Sequence, residues 1–162
     1  WLNYANGVLS GQPPANFNGV IGLTITASDG EYSVSDGFDL VIAPVNDAPV
    51  LAAALADRNI AEDAVFDILL PASSFTDVDG DSLTYSATLS NGAPLPVWMQ
   101  FDNGRLFGQP PADFNGVFDI LVTASDGNLS VSDSFRLTVD ARNDAPILVT
   151  PLADIAVNED IV

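Results

Sequence analysis

The stretch that begins at Trp1, WLNYANGVLSGQPPANFNGVIGLTITASDG, returns at Trp98 as WMQFDNGRLFGQPPADFNGVFDILVTASDG. The match continues without a gap to NDAPVL in the first copy and NDAPIL in the second, at a constant offset of 97 residues. It persists beyond: Leu55-Ala56-Asp57 recurs as Leu152-Ala153-Asp154, and Glu62-Asp63 as Glu159-Asp160. A fixed period of this kind means one folding unit repeated in series, so the fold must close within about a hundred residues. The 162 residues are a window on such an array, and the start at Trp1 without a methionine points to a piece of something larger.

The NDAP at 46–49 and again at 143–146 is the natural junction. Its proline fixes an extended backbone and restricts the residue before it, which suits a short stiff linker. Residues 1–47 then form the C-terminal half of one module, 48–145 a complete module, and 146–162 the first strand of a following one. Within the complete module the apolar period is two: Phe66, Ile68, Leu70; Leu83, Tyr85, Ala87, Leu89; Phe118, Ile120, Val122, Ala124; Phe135, Leu137, Val139. The half-module repeats the last two runs as Ile21, Leu23, Ile25, Ala27 and Phe38, Leu40, Ile42. Asn-Gly pairs at 91–92, 103–104 and 115–116, with Asp126-Gly127, punctuate them as turns, and no stretch has helical periodicity. The fold class expected is all-β, a tandem antiparallel β-sandwich with about seven strands per module.

Charge narrows the function. Against 22 acidic residues stand four basic ones, all arginine, for a formal charge of −18, with no cysteine and no histidine. Nucleic acid and anionic membrane surfaces would be repelled. Disulfides, thiolate zinc sites, histidine triads and imidazole switches are excluded by composition. No apolar run is long enough to insert into a bilayer, and no signal peptide is visible. An excess of carboxylates favours divalent cations; an acidic surface that only keeps the protein soluble is the competing reading.

The segment SSFTDVDGDSLTYSA places Asp77, Asp79 and Asp81 at alternate positions. An EF-hand loop counted from Asp77 needs glycine at its sixth place and glutamate at its twelfth, but Ser82 and Thr88 stand there. Alternating carboxylates in an extended, turning segment still aim several hard oxygens at one point, which suits Ca²⁺ with its loose shell of about six to eight oxygens. The bland alternative is an aspartate-rich turn between two strands.

These motifs carry a family resemblance. FTDVDGDSLTYS resembles the DxDG…YS segment of cadherin repeats, and VTASDGNLSVSDSFRLTV followed by NDAP is similar to the cadherin module ending. LPVWMQFDNGRLFGQP is closer to the LPxWLxF…GxLxGxP signature of bacterial and dystroglycan-type cadherin-like domains. The resemblance covers 48–145 and both flanking pieces, and implies calcium at the junctions between modules. Position by position, it implies Asp77, Asp79 and Asp126 as ligands at the upper end of the complete module, with Asp81 in the same run. Asn46 and Asp47 would join them from the linker. At the lower end it implies Glu62, Asn143 and Asp144. Where the family carries its DRE segment this chain reads ADFNG, with Asp113, and the half-module reads ANFNG, with neutral Asn16 in that place. Fewer charges there imply fewer ions or weaker binding.

Trp1 and Trp98 precede strands at the same place in the repeat, as core anchors would; the alternative is a sugar-stacking surface. Carboxylates at module ends, recurring with the repeat, argue against a catalytic pair and for a non-enzyme. The expectation is therefore a secreted or cell-surface bacterial adhesin or stalk whose junctions Ca²⁺ stiffens. Its partners would be neighbouring modules of the array, with other copies and cell-surface glycans as further candidates. A carbohydrate-binding module and a filament subunit assembled by strand addition are the alternatives.

Overall fold

Every run with period two becomes a strand, because alternation puts one set of side chains on a shared inner face. The computed structural model describes residues 1–157 and 159. Before the first NDAP lie β1 (Leu2–Ala5), β2 (Val8–Gly11), β3 (Gly19–Ser28) and β4 (Ser33–Ile42). After it come β5 (Val50–Leu51), β6 (Arg58–Ala61), β7 (Phe66–Leu69), β8 (Phe75–Thr76) and β9 (Thr84–Leu89). They are followed by β10 (Met99–Asp102), β11 (Arg105–Gly108), β12 (Gly116–Ser125) and β13 (Ser130–Asp140). The chain is all-β among the described residues, an Ig-like β-sandwich.

The repeat extends to register. Leu2 faces Gly11 across β1 and β2 as Met99 faces Gly108 across β10 and β11, and Gly19 faces Ile42 as Gly116 faces Val139. The hairpin between β10 and β11 turns on Asn103 and Gly104, both at positive φ (42° and 81°), the left-handed pair that a two-residue turn between right-twisted strands requires.

In the second copy two sheets close over a core. One runs in the order β10-β11-β7, the other β6-β13-β12-β9, and β5 pairs with β8 at one side. Leu106, Ile120, Val122, Phe135 and Leu137 are buried between them, with Phe66, Phe75 and Met99. Trp98 is half-buried against this core, 6.1 Å from the Phe66 ring and 5.7 Å from Phe118, so it anchors packing. Outward positions carry polar pairs such as Asp119 and Arg136, which face each other across β12 and β13 and bond at 3.1 Å.

Three details differ from the sequence expectation. β6 runs parallel to β13, not antiparallel, because the strand opening the module reaches the far edge of the second sheet before crossing to the first. Asn115-Gly116 is not the turn; the reversal is at residues 112–113, with Asp113 at φ 59°, and Gly116 already pairs with Val139. Residues 146–157 carry no strand, and the remainder of that expected strand, at 158 and 160–162, lies outside the described residues. A strand of this kind needs the sheet it would join, as β6 needs β13.

Candidate metal centre

One acidic cluster converges at the upper end of the complete module, and a looser set of carboxylates stands at the lower end. The upper one is built by the turn before β9, the turn after β12 and the linker before β5. The alternate spacing of Asp77, Asp79 and Asp81 leaves a chain of turns in which Asp77 Oδ1 accepts the N–H of Asp79 (2.8 Å) and of Asp81 (3.4 Å). One carboxylate oxygen from each of the three lies within 4.8 Å of the others. The second oxygen of Asp77 is buried and has no hydrogen-bond partner.

Linker and module meet here. The N–H of Asp47 donates to Asp79 Oδ2 at 2.8 Å, and Asn46 Nδ2 donates to Asp126 Oδ2 at 3.0 Å. The other Asp126 oxygen closes its own turn by accepting the N–H groups of Asn128 and Leu129, each at 2.7 Å. The Leu129 N–H above all, then the Asn46 amide and the Asn128 N–H, hold the Asp126 carboxyl below the usual carboxylate range. Asp29, its counterpart in the half-module, has the same turn and is lowered in the same way by the N–H groups of Tyr32 and Glu31. Asn16, Asp47 and Asp79 line one cleft of about 330 Å³, which brings the preceding unit's turn to this cluster.

The lower set comprises Glu62, Asp113 and Asp144. Glu62 is 2% exposed; its Oε1 accepts the N–H of Arg142 at 2.5 Å, while Oε2 is buried without a partner. Asp144 is pushed above the usual range, first by the Asp113 carboxyl beside it, then by burial and by the charges of Asp113, Asp63 and Glu62. Asn143 turns inward on its own linker, its Nδ2 donating to the Asp144 carbonyl at 3.3 Å. Asp63 is a member that motif reasoning passed over, although its recurrence beside the glutamate at 159–160 was a signal.

Among the described residues no cationic side chain pairs with these carboxylates. The ion pairs among the described residues join Arg105 to Asp67 and Arg136 to Asp119, mid-strand on exposed faces. Carboxylates and amide carbonyls are the hard oxygens that Ca²⁺ takes, and the unpartnered oxygens of Asp77 and Glu62 are what such an ion would satisfy. The upper donor set therefore fits calcium, with Asp77, Asp79 and Asp81 able to hold it and Asp47 and Asp126 beside them.

Comparisons with known proteins place the fold. The family model described as "Putative Ig domain" matches residues 48–140, more than half of the chain. Cadherin-17 of Mus musculus is 28% identical over 125 residues, which is 72% of this chain and 15% of that protein, so the chain spans a small part of its curated relative. Among solved structures, the endo-fucoidan hydrolase MfFcnA4 from glycoside hydrolase family 107 aligns at 26% identity with a TM-score of 0.47, over 87% of this chain and 22% of that one. The titin domains z1z2 in complex with telethonin align at 10% identity with a TM-score of 0.46, over 88% of this chain and 73% of that one.

Proposed function

The chain belongs to this family of Ig domains, with a cadherin-like relative, and from that premise we propose that it is a calcium-stiffened spacer in a secreted or cell-surface adhesin or stalk. Its role is structural, without catalysis. The observation that carries the reading is the meeting of linker and module at the upper end, where Asp47 and Asn46 bond directly to Asp79 and Asp126. Like charges crowded there repel when no ion is present, and unit charges 4 Å apart cost about 1 kcal/mol in water and about 4 at an effective dielectric of 20. That is enough to splay a linker and too little to unfold the sandwich. A bound Ca²⁺ turns the repulsion into shared coordination and locks successive modules in line.

A sugar-stacking role needs exposed aromatic faces at the positions the sequence offered. Trp98 is half-buried against Phe66, Phe114 and Phe118, so the complete module presents no open aromatic face there, whereas Trp1, expected to anchor a core in the same way, is 46% exposed with its ring 5.8 Å from Phe17. The spacer reading is therefore the better one.

Thermal melting of the full chain tests it. Calcium should raise the melting temperature and Mg²⁺ should do so much less, because Mg²⁺ demands a near-ideal octahedron. An ion that binds only the folded form adds about 2.7 kcal/mol at a hundredfold excess over Kd. Asp79→Ala should remove the upper-end share of that gain. Asp119→Ala, which loses only an exposed pair with Arg136, should keep all of it. Identical curves in calcium and chelator would sink the proposal.

A further inference from the structure

The chain carries a strand acceptor without its donor and a donor without its acceptor. In the complete module the opening segment lies along β13: β6 pairs with it in parallel, and Leu55 is buried in the core. Two bonds fix the register, the Leu55 N–H donating to Asp133 Oδ2 at 2.7 Å and the Arg136 N–H to Asp57 Oδ1 at 2.8 Å. One period earlier, β4 offers the same acceptor, with Asp36, Asp39, Leu40 and Ile42 in place of Asp133, Arg136, Leu137 and Val139. Among the described residues β3 is the one strand beside it. One period later, residues 146–157 carry the donor. Leu152, Ile155 and Val157 stand where Leu55, Arg58 and Ile60 stand in the complete module, and they are 93%, 87% and 85% exposed.

We infer that residues 152–157 of one copy dock on β4 of a second copy, with residues 155–157 adding in parallel beside residues 40–42. The register is that of β6 on β13, so Ile155 and Val157 face inward with Leu40 and Ile42, and Ala156 faces outward with Val41. Asp36 accepts the Gly37 N–H through Oδ1 and leaves Oδ2, the atom Asp133 uses, for the Leu152 N–H. A chain cannot serve its own acceptor. Twelve residues separate Asp140 from Leu152, at most about 43 Å. The path must return along the eleven residues of β13, about 36 Å, and then pass the linker to reach Asp36. The contact is therefore heterologous and open-ended, each added copy presenting a fresh acceptor. It is an edge contact without the cover that β7 and β9 give the complete module, so its affinity belongs in the micromolar to millimolar range. Asp39 stands where the complete module has Arg136, so Asp154 meets a like charge there and salt should strengthen the association.

Sedimentation of the full chain in chelator and raised NaCl tests this with calcium out of the readout. Association should grow with concentration and extend past the dimer. Leu152→Asp, at an exposed position, should weaken it about thirtyfold or more while the melting curve stays that of the parent. Asp39→Arg should tighten it by up to about tenfold. The chain has no cysteine, so a preparation with Val41→Cys mixed with one carrying Ala156→Cys reports the register directly. On oxidation the mixed disulfide should outnumber either self-pair, because parallel partners stand about 5 Å apart. A chain that stays monomeric to millimolar concentration would overturn the inference. So would association that Leu152→Asp leaves unchanged, or self-pairs as frequent as the mixed disulfide. None of these results touches the calcium-dependent melting on which the spacer reading stands.

Discussion

Replacing Glu62 with glutamine should change stability in opposite directions with and without calcium. Glutamine keeps the carbonyl oxygen that accepts the Arg142 N–H, so that bond, with a net value of about 1 kcal/mol, is retained and the charge alone is lost. In chelator the loss is a gain. Glu62 is buried, its second oxygen has no donor, and its charge and that of Asp144 lie near enough to repel. A like charge about 4 Å away costs about 4 kcal/mol at an effective dielectric of 20. Because Asp144 is exposed, screening lowers the figure to about 1–2 kcal/mol. For a domain of this size each kcal/mol moves Tm by about 4–8 °C, so Glu62→Gln should melt several degrees higher than the parent in chelator. With saturating calcium the order should reverse. A buried charged ligand has been removed, and each tenfold loss in affinity takes away about 1.4 kcal/mol. Calorimetric melts of both proteins in both buffers decide it. A glutamine variant destabilised equally in calcium and chelator would mean that Glu62 is only an acceptor for the linker, and the electrostatic argument for the lower end would fail.

Gly108→Ala should be severely destabilising in either buffer, since an added Cβ would lie 2.0 Å from the Trp98 carbonyl oxygen, a backbone atom that cannot step aside; a chemical denaturation midpoint close to that of the parent would refute this. The acid limb of stability should contain a small share from Asp67, whose carboxyl the Arg105 hydrogen bond holds below its usual range. Its folded pKa is depressed, so this stability is present above the unfolded value of about 3.9 and is lost as pH falls through the lower folded value. In Arg105→Gln the NMR titration of Asp67 should move back up toward the unfolded value, and an unmoved titration would show that the pairing has no effect on the carboxyl.

Legibility in the sequence followed the physics of each feature. Asn103-Gly104 could be read as a hairpin because left-handed geometry at two successive residues admits few other pairs. Asn115-Gly116 looked the same on paper, but the reversal had been completed at Asp113, leaving Gly116 free to enter the sheet. The parallel pairing of β6 with β13 has no local signature, since it depends on where a short strand finds a free edge nearly eighty residues away. At the acidic ends, Asp77, Asp79 and Asp81 announced themselves by spacing. Asp63 was marked only by its recurrence beside the glutamate at 159–160, and its charge acts on Asp144 only once the linker is in place.

The sequence by itself determined the period and the long alternating strands, because two-residue alternation is local and both copies carry it. Burial was decided by the tertiary structure. Phe38 and Phe135 hold the same place in the same hairpin register, yet one is 44% exposed and the other 3%, because β7 and β9 complete the sandwich only around the second. The same holds for the candidate site: carboxylates written up to eighty residues apart become one cluster only when the linker is pinned against the turns that end the strands.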